Sequence, residues 1–210
     1  MNSERMRHMS REDADPGREP ARDAGSDPGV GRNADLSVDE QLAAGIRHAL
    51  DRAVESLTAA GARDEALATY VAPHKVLFFT KDAALATAGR VWRLGVFLLG
   101  RDGTLYATGT TTRAVEPGRA GYQSESAEER RAYRAAALRG RFAKGETVNF
   151  DAPVIATDAQ SLGESAGPLF LRDGRALVRW NIAVADELAI DFDAYLAERV
   201  GLLVDPPGGA

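Results

Sequence analysis

Residues 91–113, VWRLGVFLLGRDGTLYATGTTTR, decide the fold class. The first part, 91–99, is apolar at both alternating sets of positions except for one arginine and one glycine, which predicts a central strand covered on both faces. An Asp-Gly pair at 102–103 separates it from the threonine-rich run 104–113, and this pattern predicts a tight β-hairpin. Because strands joined by a tight hairpin pair antiparallel, the stretch predicts an antiparallel sheet.

The C-terminal half contains a second stretch of this kind. Residues 169–171 and 176–181 are strand-like and flank an Asp-Gly turn at 173–174, which predicts another hairpin. Shorter strand signals occur at 76–79 and 146–150. We expect the two hairpins to build one mainly antiparallel sheet.

The first two predicted helices lie before the strands. Ser37 and Glu40 have the spacing of a capping box, and Gly61 is a good residue to end the helix. Apolar residues then recur at intervals of three and four along one face: Leu42, Ile46, Leu50, Val54 and Leu57. A shorter helix is predicted at 64–71, stopped by Pro73, whose ring disfavours helix at the preceding residue.

Two further helices complete the predicted architecture. One opens with Ser126 as cap and Glu129 as its partner and runs to about residue 142. The last starts after Asp191 and ends before Pro206. The sequence therefore predicts an α+β fold in which three or four helices pack against the sheet.

The predicted domain covers residues 36–205 and follows a tail at 1–35. The tail holds many charges, prolines and glycines but almost no large apolar residue, so it cannot bury enough apolar surface to offset the entropy lost on ordering. We expect this tail to be disordered.

Composition excludes several classes of function. The 210-residue chain has no cysteine, which rules out disulfides, a thiolate nucleophile and cysteine-ligated metals. Its net charge of −5 argues against a general nucleic-acid coat. The longest apolar run is 94–99, too short to span a bilayer, and no secretory signal precedes the domain. We therefore expect a cytoplasmic protein without a membrane partner, and no motif predicts a cofactor or a metal.

The best candidate for a binding site is the region 108–126. A strand end rich in threonine and glycine feeds a loop that reaches a helix N-terminus, where unpaired amides favour anions. Further donors in or near this loop are Arg113, Arg119, Tyr122, Gln123, Ser124 and Ser126. Ordinary helix capping is the alternative interpretation of the same residues.

Arginines of the following helix could extend that site. At about 100° per residue, Arg130, Arg134 and Arg141 fall on one stripe. Guanidinium groups suit phosphate and carboxylate, because their fork of donors binds two oxygens at once. A solvated charged face is the alternative. The leading hypothesis is a non-catalytic domain that binds an anionic small molecule, or a protein partner, through this face.

Both tryptophans lie next to an arginine. Trp92 precedes Arg93 and Trp180 follows Arg179, so two neighbouring hairpins would place rings and guanidiniums together. Such a pocket could hold a planar or anionic ligand. Packing of both rings in the core is the alternative. A homodimer through the sheet face or the last helix is a further hypothesis.

Three segments resemble a group of small uncharacterised proteins of high-GC actinobacteria. They are WRLGVFLL at 92–99, GYQSES at 121–126 and RFAKGETV at 141–148. Some members of this group carry an automatic glutaminase label, which implies an amide hydrolase.

The chain lacks the known motifs of that reaction. Serine-dependent glutaminases need Ser three residues before Lys, but Ala72, Phe78 and Arg141 hold those positions, and no cysteine exists for an amidotransferase mechanism. The remaining candidates are Thr111 or Thr112 as nucleophile, with His74 as the base.

Overall fold

The computed structural model describes residues 36–118, 124–181 and 186–208, so the tail predicted at 1–35 lies outside the described residues. The helices are α1 (Val38–Ala59), α2 (Glu125–Arg139), α3 (Ala159–Gly163) and α4 (Phe192–Val204), with a 3₁₀ turn at Asp186–Leu188. The strands are β1 (Glu65–Val71), β2 (His74–Val76), β3 (Phe79–Lys81), β4 (Ala84–Leu94), β5 (Phe97–Gly100), β6 (Leu105–Ala107), β7 (Thr110–Arg113), β8 (Thr147–Phe150), β9 (Leu169–Arg172), β10 (Arg175–Val178) and β11 (Ile190–Asp191). This is the predicted α+β class.

The caps of the first and last helices are where the sequence predicts them. The amide of Glu40 donates to Ser37 Oγ at 3.2 Å, and the Glu40 carboxylate accepts from the Ser37 amide at 2.7 Å. At α4, the Asp191 carboxylate accepts hydrogen bonds from the amides of Asp193 and Ala194. Each cap satisfies amides that have no partner inside the helix.

The strands form a large sheet, a small sheet and a separate hairpin. The large sheet has the order β6-β5-β4-β1-β8-β7, the small one has the order β11-β10-β9, and β2 pairs with β3. Pairing is antiparallel except between β1 and β8, which run parallel. The hairpins at 102–103 and 173–174 are confirmed, but the expectation that they share one sheet is wrong.

Residues 65–71 form strand β1, so the helix predicted at 64–71 is wrong. The strand pairs with β4 from Glu65↔Val91 to Val71↔Ala84, and its other edge pairs with β8. At this central position Ala66, Leu67 and Ala68 are all buried. Pairing and burial on both sides outweigh a weak helical propensity.

Both runs predicted as continuous strands at 91–113 are broken. Gly95, at φ +66°, turns the chain between β4 and β5, and a Cβ there would lie 2.0 Å from the Tyr195 hydroxyl oxygen. That oxygen accepts a hydrogen bond from the Val96 amide at 2.9 Å. Further along, Thr108 and Gly109 separate β6 from β7. The stretch therefore contains two turns that its apolar pattern hides.

The connection between β6 and β7 shows that the large sheet is curled. These strands occupy opposite edges, yet three Cα steps of about 3.8 Å let them lie at most about 11 Å apart. In a flat six-stranded sheet the edges would be five spacings, about 24 Å, apart. The segment after β8 also reaches β6, since the Ala107 amide donates to the Pro153 carbonyl at 2.9 Å. The sheet must bend until its two edges approach each other.

The two faces of the curled sheet pack differently. On the outer face, Trp92 packs in one cluster with residues of α1 and α4, while Phe150 packs in another with residues of α2. The inner face carries a small cluster of Leu67, Val91 and Leu98. Because strand side chains alternate, the register also places a polar group on the inner face: Glu65, Arg93, Thr111 and Asn149.

A charged cluster joins β1, β4 and the loops at one end of the large sheet. Asp64 accepts hydrogen bonds from Arg90 Nη2 at 2.6 Å and Arg101 Nε at 2.9 Å, and Arg90 also binds Glu146. Burial alone would raise the pKa of Asp64, but the hydrogen bonds and charges of both guanidiniums outweigh it and hold that pKa below its usual value. The cluster therefore ties the chain between α1 and β1 to the hairpin at 102–103.

The Asp64 cluster predicts a pH dependence of stability. A carboxyl whose pKa is depressed by folding contributes stability above its unfolded pKa, about 3.9, and loses that contribution as the pH falls through the lower folded value. Urea denaturation of the wild type and of Asp64→Asn should show a gap in the free energy of unfolding at neutral pH that shrinks below about pH 4. A gap that stays constant or widens in acid would contradict this assignment.

None of the helices in the described ranges has the length and apolar character that a bilayer span requires.

Candidate functional site

An open groove of about 440 Å³ lies between β7 and the first half of α2. Its lining includes five residues singled out from the sequence: Thr111, Thr112, Arg113, Arg130 and Arg134. Glu65, Val115 and Thr147 complete its walls. The strand end and the helix that the sequence suggested as one binding face therefore do border one concave surface, which we call the arginine groove.

The arginine groove is bordered by three arginines whose side chains have no counterion in the described part of the chain. Arg130 and Arg134 lie one turn apart on α2, and Arg113 ends β7. None of the ion pairs or hydrogen bonds seen within 36–118, 124–181 and 186–208 involves these three side chains. By contrast, Arg131 on the same helix binds Glu128 at 2.9 Å. The groove thus concentrates positive charge that the rest of the described chain does not neutralise.

A polar cluster on the inner face of the sheet reaches the wall of the arginine groove through Glu65 and Thr111. The carboxylate of Glu65 accepts hydrogen bonds from Arg93 Nε at 3.2 Å and from Asn149 Nδ2 at 2.8 Å. Thr111 Oγ1 accepts from Arg93 Nη2 at 2.8 Å and donates to Asn149 Oδ1 at 3.1 Å. Because Arg93 offsets the charge of Glu65, that carboxylate does not cancel the three guanidiniums at the rim.

Asn149 holds this cluster together. It is 1 % exposed, and it is the one buried polar side chain within the described part of the chain. Its amide donates to Glu65 and to the Ala66 carbonyl at 3.2 Å, and its oxygen accepts from Arg93 and Thr111. Both donors and both acceptor sites of the Asn149 amide are therefore used, and these hydrogen bonds orient the side chains around it.

Neither threonine is placed for nucleophilic attack by its described contacts. An activated hydroxyl needs an adjacent base, but the Thr111 hydroxyl donates to an amide oxygen, which is not one. His74 lies in β2, is exposed and does not line the groove, and its Nδ1 is 3.1 Å from the Ala72 carbonyl oxygen. The structure does not bring His74 to Thr111 or Thr112.

The predicted pocket shared by Trp92 and Trp180 is wrong. Trp92 is buried on the outer face, where its indole N–H donates to the Ala62 carbonyl at 3.1 Å and Arg101 lies over its ring. Trp180 is 48 % exposed and follows β10 in the small sheet. Arg179 stacks on Phe170 instead of on a tryptophan. The two hairpins belong to different sheets, so adjacency along the chain does not become adjacency in space.

The start and the end of α2 also differ from the prediction. Ser124 is the N-cap residue in place of Ser126, and its hydroxyl contacts the Ser126 hydroxyl at 3.1 Å without capping an amide. Arg141 lies beyond the end of α2 at φ +63°, so it does not extend the stripe of Arg130 and Arg134. Three other predicted donors lie outside the described residues: Arg119, Tyr122 and Gln123.

Sequence reasoning missed Glu65 and Thr147 in the walls of this groove, and it missed Asn149, which is buried behind Glu65 and Thr111. Asn149 had a detectable signal, since it stands between Val148 and Phe150 in an apolar strand, where an amide needs partners. Glu65 had no comparable signal in the sequence, because its segment was interpreted as a helix. In the described parts of the chain, no group of histidine, aspartate and glutamate side chains could hold a metal ion.

Comparisons with family models, with curated proteins and with solved structures each gave no match to this chain. The function must therefore be inferred from the arginine groove itself.

Proposed function

We propose that the chain is a non-catalytic binding domain that holds a small anionic molecule in the arginine groove. The observation that carries the proposal is the convergence of Arg113, Arg130 and Arg134, none of which has a counterion in the described chain, on one concave surface. Like charges so arranged repel one another, and a bound anion removes that repulsion. The groove volume of about 440 Å³ falls in the range typical of small-molecule sites.

The side chains favour a carboxylate or phosphate ligand. Each guanidinium presents a planar fork that can bind two oxygens at once. Hydroxyl groups of Thr112 and Thr147 line the same walls and can donate to an oxygen or accept from a ligand hydroxyl. This proposal does not include amide hydrolysis, because no described contact supplies either threonine with a base.

Titration with citrate and pyrophosphate tests this proposal. We expect both anions to bind the full chain in isothermal titration calorimetry, and binding to weaken as salt is added. Arg134→Ala should raise the Kd about tenfold, because one charge-assisted hydrogen bond, about 1.4 kcal/mol, is lost. The unfolding midpoint should change little, since Arg134 makes no hydrogen bond or ion pair with the described part of the chain.

Arg131→Ala is the matched control. It removes the same charge from the same helix, but its side chain binds Glu128 and does not line the groove. We expect its Kd for both anions to stay within about twofold of wild type. An equal loss of affinity in Arg131→Ala and Arg134→Ala would indicate a general charge effect. An unchanged Kd for Arg134→Ala would show that the arginine groove does not bind these anions.

A further inference from the structure

The β2–β3 hairpin carries an apolar tip that the rest of the described chain leaves uncovered. The tip consists of Val76, Leu77, Phe78 and Phe79, which are 39 %, 88 %, 96 % and 77 % exposed. Leu77, at φ +54°, makes the turn, although a non-glycine residue rarely adopts this conformation. Four consecutive large apolar residues in water are unfavourable for an isolated monomer.

The apolar area of the tip is at least half of the area that each partner buries in a stable dimer. Two phenylalanines bury about 150–250 Å² each when covered, so the tip offers roughly 400–600 Å² once Leu77 is included. A stable interface buries about 800 Å² on each partner. In a two-fold arrangement each protomer contributes one tip and one receiving surface, and together these reach the required area.

A receiving surface exists beside the base of the same hairpin. A groove of about 520 Å³ is lined by residues of β1, β4, β6 and the segment after β8, including Leu67, Tyr70, Ala88, Tyr106 and Pro153. We call it the hairpin groove. An engineered cavity of about 150 Å³ holds benzene, so this volume accommodates both phenyl rings and Leu77. The groove is open, which allows a tip to enter from outside.

Position and charge both favour a second copy of this chain as the occupant. β1 lines the hairpin groove, and only Ala72 and Pro73 separate it from the hairpin, so each tip and the groove of its partner can meet near one two-fold axis. The tip is flanked by Lys75 and Lys81, whereas the groove carries Asp151. No ion pair within 36–118, 124–181 and 186–208 involves any of these three residues.

We infer that the chain forms a two-fold symmetric dimer in which the apolar tip of each protomer inserts into the hairpin groove of the other. This dimer does not use the C-terminal helix that the sequence suggested, and it uses the large sheet only where β1, β4 and β6 line the hairpin groove. It is independent of anion binding in the arginine groove.

Light scattering of the full chain after gel filtration tests the dimer. We expect a mass twice the 22.4 kDa of one chain at concentrations near about 100 µM. Phe78→Asp should give a folded monomer with the far-ultraviolet circular dichroism spectrum of the wild type, because this side chain is almost fully exposed in one copy. Ala88→Arg should also give a monomer, since it fills the hairpin groove from an exposed position without touching the tip. Leu188→Asp, another exposed apolar site, should remain a dimer.

Disulfide trapping locates the contact, because the natural chain has no cysteine. When Phe78→Cys and Ala88→Cys proteins are mixed and oxidised, we expect a covalent dimer linking residue 78 of one protomer to residue 88 of its partner. The pair Phe78→Cys and Leu188→Cys should not cross-link above background.

Three results would overturn the inference. A wild-type chain that is monomeric at about 100 µM has no such dimer. A dimer that survives Ala88→Arg does not use the hairpin groove. A monomeric chain that sediments with phosphatidylserine vesicles, and loses this in Phe78→Asp, uses its tip on a lipid surface instead.

Discussion

Trp92→Ala should lower the free energy of unfolding by about 3–5 kcal/mol, the largest single effect we expect in this chain. The ring is 1 % exposed in the cluster that joins β4 and β5 to α1 and α4. Removal of the indole leaves a cavity in this cluster. The Ala62 carbonyl loses its hydrogen-bond donor, and Arg101 loses the ring on which it stacks. Urea denaturation followed by circular dichroism measures the change without relying on tryptophan fluorescence.

Trp180→Ala is the matched control, because it deletes the same side chain at a position that is 48 % exposed. We expect a loss of about 1 kcal/mol or less. Similar losses at the two positions would mean that Trp92 is not in the main core. If Trp92→Ala and Trp180→Ala weakened anion binding equally, the hypothesis of a shared tryptophan pocket would be supported instead.

Gly109→Ala should destabilise the fold by about 2–3 kcal/mol, at the upper end of what overpacking costs. A Cβ at this position would lie 2.2 Å from the carbonyl oxygen of Asp151 and 2.5 Å from that of Phe150. Both contacts are with backbone, which cannot rotate away. The substitution therefore forces apart β7 and the chain leaving β8, where the curled sheet brings its edges together.

Gly45→Ala should instead raise the free energy of unfolding. This glycine is exposed inside α1, and a Cβ there would meet no atom within 4 Å. Alanine favours helix over glycine by about 0.5–1 kcal/mol, so the urea midpoint should rise. If Gly109→Ala were as harmless as Gly45→Ala, the close packing of Gly109 against the backbone of Phe150 and Asp151 would be wrong.

About half of the arginine groove could be predicted from the sequence. Arg113, Arg130 and Arg134 were identified because a strand end, a loop and a helix start follow one another closely in the chain, and such neighbours tend to be near in space. The tryptophan pocket failed because it assumed that two hairpins about 70 residues apart lie in one sheet, which no local pattern determines.

The sequence by itself determined the features that local chemistry controls. The capping box at Ser37 forms within four residues of chain. At 173–174, Asp and Gly adopt positive φ values of +50° and +67°, as a two-residue hairpin turn between β9 and β10 requires. In both cases the interacting groups are neighbours along the chain, so they cost little entropy to bring together.

Only the tertiary structure decided the features that depend on distant residues. Residues 65–71 became a strand because β4 and β8 offered partners on both edges, and the Glu65 carboxylate meets the Asn149 amide across 84 positions of sequence. The curling of the sheet likewise follows from β6 and β7 pairing with different neighbours. Such contacts form only when the free energy gained by burying the whole sheet exceeds the entropy lost in closing long loops. A short stretch of sequence does not determine either quantity, so these contacts could not be predicted from local patterns.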